Sequence, residues 1–391
     1  MHKLSFTQIF SIVSHGYSPA DWPDSLKTFV AKSHSLRLNR TTHTCLHAVD
    51  VELLLGMTPK KKTEVQSIAH VIYETAQKLG VQHIIDIGGG QGYLSSVLAY
   101  QYNLHVVAVD GCDKQTKGGV LRAERIRKLY KSHGKHINLN LSFVTAIVDT
   151  HSIDTLIGEI VAGVAENVGF LVVGIHRVDP GLHTCGDLAS TIIRYFKCGK
   201  HKSRLVALMN MGCCYNTLTD DIGYPLCEGR PALGKNLKMT ACQASGRWSD
   251  HATLHSAMER LFFRCMLQGV ISKSGLPFPS NGKHVKKVGK LNMVTPVLYC
   301  RDSFRRLGLP IDQLIPDESI VAYFEENREV VYKQIVCVWA LRTLLSEPVE
   351  SIILLDRLEY LKEFDTKLVA LVDACDSPRN MCLISSRFSV D

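Results

Sequence analysis

Three glycines at alternate positions, Gly88, Gly90 and Gly92, follow the apolar run Ile84-Ile85 and the acid Asp86, and a helical pattern begins at Leu94. Glycine tolerates positive φ and leaves no side chain between the main chain and a bound ligand, so this spacing makes a nucleotide-cofactor loop between a strand and a helix. The spacing also discriminates between cofactors. In a dinucleotide fingerprint counted from Gly88 the third glycine falls at position 93, which is Tyr93 here; the third glycine stands one place earlier. A second apolar run, His105 to Val109, ends in Asp110, 22 residues beyond Gly88. A carboxylate at the tip of that strand can accept both ribose hydroxyls of an adenosyl group, and its replacement is expected to weaken cofactor binding while hardly changing the cofactor-free fold.

Two further segments carry groups that could act on an acceptor. One is Gly181-Leu182-His183-Thr184-Cys185-Gly186-Asp187, the other Asn210-Met211-Gly212-Cys213-Cys214-Tyr215. Each follows an apolar strand pattern, and ligands of open α/β sheets bind beyond the carboxyl ends of the strands, so both are expected at the transferable group. His183 is a general base or acceptor-orienting residue on this reading, and Asp187 or Tyr215 would hold the acceptor. The structural alternatives are a strand cap for His183, buried small residues for Cys185 and Cys213, and a helix cap for Asp187. A metal is not expected. Cys213-Cys214 lacks the usual Cys-x-x-Cys spacing, and His251 and His255, four apart, lack the glutamate of a His-Glu-x-x-His site because Ala252 follows His251. The clusters Lys60 to Lys62, Lys283 to Lys290, and Arg301, Arg305 and Arg306 could track phosphates or form a solvated face.

Alternating elements must position these groups. Val65, Ile68, Ile72 and Ala76 recur at helical spacing up to Gly80, and strands are expected near Gln82 to Ile87, His105 to Val109, Leu139 to Ile147, Phe170 to Gly174 and Arg204 to Asn210. Strands alternating with helices mean a parallel sheet covered on both faces. At the far end, Glu350 to Phe364 is helical, Lys367 to Ala374 and Met381 to Phe388 are β-runs, and Ser377-Pro378-Arg379-Asn380 is a turn. The catalytic domain is therefore expected over residues 59–391, interrupted by a mainly helical insertion at about 215–348 and preceded by a helical segment, 1–58.

Composition limits the classes. With 46% hydrophobic and 21% charged residues among 391, the chain is expected to be ordered. Thirteen scattered cysteines, and a start without an export-type apolar region, point to a reducing, intracellular compartment, cytoplasmic or nuclear. The longest apolar stretch, Leu156 to Ile175, is broken by Glu159, Glu166 and four glycines, so no membrane span is expected. The net charge of +8 permits an anionic partner.

The acid-x-Gly-x-Gly-x-Gly loop with Asp110 resembles motif I of the class I S-adenosylmethionine-dependent methyltransferases. Such a fold implies a Rossmann-like seven-stranded sheet finished by a C-terminal antiparallel hairpin. Lys60 to Gln66, the glycine loop, Leu182 to Leu188, Met211 to Tyr215, Ala241 to Ala244 with Arg247-Trp248, Leu355 to Leu358 and Ser377 to Asn380 together resemble the methyltransferase-like protein 25 family. That family includes proteins of the rRNA adenine dimethylase domain-containing type. The resemblance implies S-adenosyl-L-methionine as cofactor, held by Lys61, Glu64, Asp86, Gly88, Gly90, Gly92 and Asp110, and RNA as acceptor, with tRNA as one class. A protein acceptor and a non-catalytic scaffold are the alternatives. The His-x-Cys-Gly and Cys-Cys pair is similar to tRNA ribose 2'-O-methyltransferases, although Tyr215-Asn216 follows where those enzymes carry histidines. Ile175 to Pro180 resembles an insertion between the fourth strand and its motif. The Asn-Leu-Pro-Tyr-type motif of adenine N6 methylation is absent from the sequence.

Overall fold

The computed structural model describes residues 6–42, 46–136, 138, 140–175, 186–243, 251–275, 295–309, 315–374, 376–377 and 379–388. The chain divides into two compact units: Ser33–Gly246 with Leu345–Asp391, and Met1–Lys32 with Arg247–Leu344.

The first unit holds one seven-stranded sheet. Its strands are β1 (His83–Ile87), β2 (His105–Asp110), β3 (Leu141–Thr145), β4 (Phe170–Ile175), β5 (Leu205–Met211), β6 (Asp365–Ala370) and β7 (Met381–Ser386). The order is β3-β2-β1-β4-β5-β7-β6. The first five are parallel and β7 runs antiparallel between β5 and β6, as the resemblance implied. A parallel sheet covered on both faces needs apolar residues on both sides of its strands, and the sequence supplies near-continuous runs. Ile84 packs on one face with Val106, Leu171, Val173, Ala207 and Met209. Ile85 and Ile87 point to the other, with Val172, Leu208 and Leu383.

Helices α3 (Pro59–Lys78), α4 (Tyr93–Tyr100) and α5 (Asp113–Ser132) supply residues to the first face, and α6 (Ile153–Ala162) and α7 (Asp187–Cys198) to the second. Thr58 caps α3, its side chain accepting from the Lys61 amide, and Pro59 occupies the first turn, where its missing N–H costs nothing. The expected β-run at Lys367 to Ala374 starts two residues earlier and stops at Ala370, although the Leu371 amide still donates to the Asn380 carbonyl at 2.9 Å.

The second unit is helical. It contains α1 (Phe6–His15), most of α2 (Asp24–Ser35), α9 (His251–Lys273), α10 (Pro296–Leu307) and the first part of α11 (Asp317–Tyr360), while the short α8 (Lys235–Ala241) lies in the sheet unit. Phe262, Met266, Phe304, Ile320 and Phe324 form one of its cores, and Ile12, Val30, Met258 and Trp339 anchor another. No helix among the described residues is long and apolar enough to cross a membrane.

Candidate active site at the carboxyl edge of the sheet

The glycine loop leaves β1 and folds over the tip of β2. Gly88, Gly90 and Gly92 all have positive φ, at 84°, 56° and 65°. The alternate spacing read in the sequence is thus a conformational requirement, since side-chain-bearing residues populate that region sparsely. The Val109 carbonyl accepts from both Gly88 and Gly89 amides, at 2.8 and 3.0 Å. The Gly90 amide donates to Asp110 Oδ2 at 3.0 Å, and the Cys112 amide to Asp110 Oδ1 at 2.9 Å. Asp110 is buried, and these bonds use about two of its four lone-pair sites, leaving capacity for two hydroxyls.

Contacts from below fix the loop. Phe143 of β3 lies where a Cβ on Gly92 would stand, 2.6 Å away, and Gly118 and Gly119 let α5 approach Gln91 and Phe143 closely. Asp86, also buried, accepts from Ser95 Oγ of α4 at 2.5 Å and lies 3.2 Å from a Cβ placed on Gly89. Its carboxylate therefore ties strand, loop and helix. The Tyr93 hydroxyl is shared between Gln91 Oε1 at 3.3 Å and the Gly56 carbonyl at 3.4 Å, while Arg122 of α5 donates to the Leu53 and Leu55 carbonyls with its guanidinium 4.4 Å from the Tyr93 ring. These bonds hold the segment leading into α3 beside the loop. In the first turn of α3, Lys61 is buried and pairs with Glu64 at 3.8 Å.

The segments after β4 and β5 are the ones the sequence assigned to the acceptor. His183 and Cys185 lie outside the described residues, as do residues 176–180 of the insertion-like segment. Asp187 opens α7, where its carboxylate accepts from the Thr219 amide at 2.8 Å and the Thr219 hydroxyl at 2.7 Å, tying the two post-strand segments together. Tyr215 is buried and its hydroxyl donates to Glu350 Oε1 at 2.8 Å. Burial, followed by the Glu350 charge, pushes that phenol well above its usual range, so it stays protonated. Glu350 Oε2 in turn accepts from Arg40 at 2.6 Å and Arg379 at 2.8 Å.

Sequence reasoning assigned no chemistry to Glu350, Arg379, Arg40, Arg357 or Asn210, although all cluster near Tyr215 or on β5. Two of the sequence motifs, Leu355 to Leu358 and Ser377 to Asn380, contain Arg357 and Arg379. A charged residue inside an otherwise apolar helical pattern was the available signal.

Among the described residues, no group of three or more His, Cys, Asp or Glu is placed to hold a metal. Lys283 to Lys290 lies outside them. Arg301 pairs with Asp317 at 2.6 Å, and Arg305 and Arg306 pair with Asp302 at 3.7 and 2.9 Å, so that arginine cluster is compensated locally.

Comparison with known proteins agrees with this geometry. Residues 60–221 match the family model described as a methyltransferase domain. The chain is similar to probable methyltransferase-like protein 25 of Mus musculus, 26% identical over 88% of this chain and 77% of that protein. The Homo sapiens protein of the same name is 24% identical over 84% and 74%. Among solved structures, the bifunctional kinase-methyltransferase WbdD is 16% identical with a TM-score of 0.26, and the match covers 40% of this chain and 30% of that one, under a third of its length. The strand order and the loop over Asp110 agree with the methyltransferase-domain match over residues 60–221: the chain carries a class I S-adenosylmethionine-dependent methyltransferase fold and is similar over most of its length to the methyltransferase-like protein 25 proteins.

Proposed function

We propose that this methyltransferase acts on RNA, with tRNA as one class of acceptor, in a reducing compartment of the cell, cytoplasmic or nuclear. The observation that carries the RNA reading is the surface of α5. Lys114, Arg125, Lys128 and Lys131 are exposed along it, and none has an acidic partner among the described residues. The helix begins just after Asp110, so uncompensated cations extend from the cofactor loop, and phosphate backbones are bound by such runs. The unbridged thiols Cys112, Cys213, Cys214 and Cys242 support the reducing compartment.

In this reading the backbone of Gly88 to Gly92 approaches the cofactor, and the free lone pairs of Asp110 take its ribose hydroxyls. Asp86 keeps the loop in place through Ser95. Lys61 and Glu64 border the cofactor from the start of α3, where the Tyr93 contacts bring that segment to the loop. Bound S-adenosylmethionine would supply a methyl on a positive sulfur, to be taken in line by an acceptor lone pair with the neutral thioether as leaving group. The chain's own contribution is alignment, exclusion of water and removal of one proton. We assign the proton to His183. Asp187 and Tyr215 are positioning residues, since the Asp187 carboxylate is engaged by Thr219 and the Tyr215 proton by Glu350.

The test is transfer of labelled methyl from S-adenosylmethionine to fractionated cell RNA and cell protein, after titration calorimetry has established cofactor binding. Label in RNA is expected, and reduced far more by His183→Ala than cofactor affinity is. Label confined to protein, or cofactor binding with no transfer at all, would replace this reading with the protein-methylating or scaffold alternative.

A further inference from the structure

Two buried polar groups at the carboxyl edge of the sheet have side-chain atoms without a hydrogen-bond partner among the described residues. Asn210, near the end of β5, is 2% exposed, and neither its side-chain oxygen nor its nitrogen is paired. Arg357 of α11 is also 2% exposed; its Nε is unpaired, and no hydrogen bond or ion pair from its guanidinium occurs among the described residues. Each lies against a glycine near the carboxyl end of the central strands. The Asn210 amide nitrogen lies 2.9 Å from the Cβ position of Gly174, the residue it pairs with on β4. Arg357 Nη1 occupies the Cβ position of Gly212. Asn210 is the next-to-last residue of β5 and Gly212 lies one residue past its end, so both groups sit at the carboxyl edge of that strand. Gly174 and Gly212 are the places where a side chain would fill the space these groups use.

The charges of Asp356 and Glu350 act on Arg357, but neither carboxylate hydrogen-bonds its guanidinium among the described residues, and each is already engaged by other donors. Glu350 serves Tyr215, Arg40 and Arg379. Asp356 accepts from the Leu226 and Cys227 amides at 2.7 and 3.2 Å and pairs with Arg230 at 3.3 Å. The Tyr215 ring stands between two guanidiniums, 5.8 Å from Arg357 and 5.5 Å from Arg379. Near Tyr215, the buried Arg357 and Arg379 stand beside Glu350 and Asp356, and Asp356 also pairs with Arg230, whose side chain is partly exposed. An arginine stays charged at any accessible pH, and a buried charge is costly unless an opposite charge meets it. The site lies beyond the carboxyl ends of β4 and β5, where ligands of this fold class approach.

We infer that Arg357, with the Asn210 amide beside it, binds an oxyanion of the acceptor, a phosphate group of the RNA nucleotide that presents the methylated atom. The inference rests on the RNA reading for the source of the phosphate and on the structure alone for the anion site. The guanidinium fork matches a phosphate through two parallel N–H bonds, and the amide nitrogen adds a third donor. Such a group would fix the nucleotide's position relative to the methyl without taking part in the chemistry.

The full chain is to be titrated with inorganic phosphate at constant ionic strength, following the thermal midpoint and calorimetric affinity. Phosphate is expected to raise the midpoint of the wild type and to bind Arg357→Met at least about tenfold more weakly, the loss that follows from removing a charged hydrogen bond. Without phosphate, Arg357→Met is expected to melt at or above the wild-type temperature, because replacing an unpaired buried charge with an apolar chain removes a cost. Asn210→Asp supplies the missing anion internally, and should raise the midpoint while abolishing the phosphate response. An equal phosphate response in wild type and Arg357→Met overturns the site, as does a marked fall in stability of both variants without phosphate. Acetate binding more tightly than phosphate would reassign the site to a carboxylate and overturn its RNA source. A phosphate response in a protein that labels no RNA removes the RNA reading and leaves the anion site standing, so the two failures are separable.

Discussion

Asp110 carries two duties that the sequence showed as one. Its spacing from Gly88 announced an acceptor for ribose hydroxyls, but its role as the acceptor for Gly90 and Cys112 amides depends on how the loop folds back, which spacing alone does not specify. Asp110→Ala is therefore expected to weaken S-adenosylmethionine binding by about 1.5 to 3 kcal/mol. It should also lower the cofactor-free melting temperature, because two backbone donors lose their acceptor. Calorimetry and a thermal scan of the same variant check both, and unchanged affinity would remove Asp110 from the cofactor site. Tyr215 presents the converse case. Its place after β5 suggested acceptor contact, and no local pattern pointed to a carboxylate 135 residues away. Tyr215→Phe should cost about 1.5 to 3 kcal/mol of stability, the worth of a hydrogen bond to a charged group, since Glu350 keeps only its arginines. Denaturant unfolding measures this. A variant as stable as wild type but unable to transfer methyl would instead mark Tyr215 as an acceptor contact.

At the level of elements, apolar patterning located all seven strands, the five parallel ones as near-continuous apolar runs and the C-terminal pair as two β-runs about a turn. The resemblance implied seven strands ending in an antiparallel hairpin; that β7 lies between β5 and β6 comes from the structure. Less legible were the long-range polar ties. The segment before α3 is held to the end of α5 by Glu52, which is buried and accepts from His133 at 2.8 Å and lies 3.4 Å from Lys135. Its own backbone amide, then His133 and Lys135, hold the Glu52 carboxyl below the usual carboxylate range. A depressed folded value means stability that is present above the unfolded value and is lost as pH falls through the folded one. Glu52→Gln should thus be less stable than wild type at neutral pH, and the difference should close on acidification in parallel melts. The hairpin of β6 and β7 allows a coarser test. Deleting the chain from Glu350 removes β7 from its place beside β5 and leaves that edge unpaired, so the remainder is expected to aggregate or melt at lower temperature. A soluble fragment that still binds cofactor would show that the hairpin is dispensable to the sheet.

For the molecule as a whole, the net charge of +8 is unevenly spread, and α5 alone carries seven basic residues against two acidic ones, a concentration that a composition cannot reveal. Several other cations are spent in pairs, among them Arg301, Arg305 and Arg306, which the sequence presented as a phosphate track. Replacing Lys128 and Lys131 with Glu is expected to weaken RNA binding and to flatten its dependence on salt, by roughly 0.7 to 0.9 in log–log slope for each phosphate no longer neutralised. Filter binding across a salt series would show it, and an unchanged slope would move the RNA path off this helix.

The placement of β7 between β5 and β6 also bears on how the protein is made. A ribosome finishes β5 at Met211 and delivers β7, beginning at Met381, only about 170 residues later, an interval of roughly 10 to 35 seconds at ordinary rates of synthesis. Throughout that time β5 is the outer strand of a growing five-stranded sheet, with Leu208 and Met209 flanking a row of unsatisfied backbone groups. The helices between Lys235 and Tyr360 emerge during the same interval. The nascent chain is therefore expected to engage chaperones most strongly after β5 has left the exit tunnel, and to release them when Met381 to Ser386 arrives to close the edge.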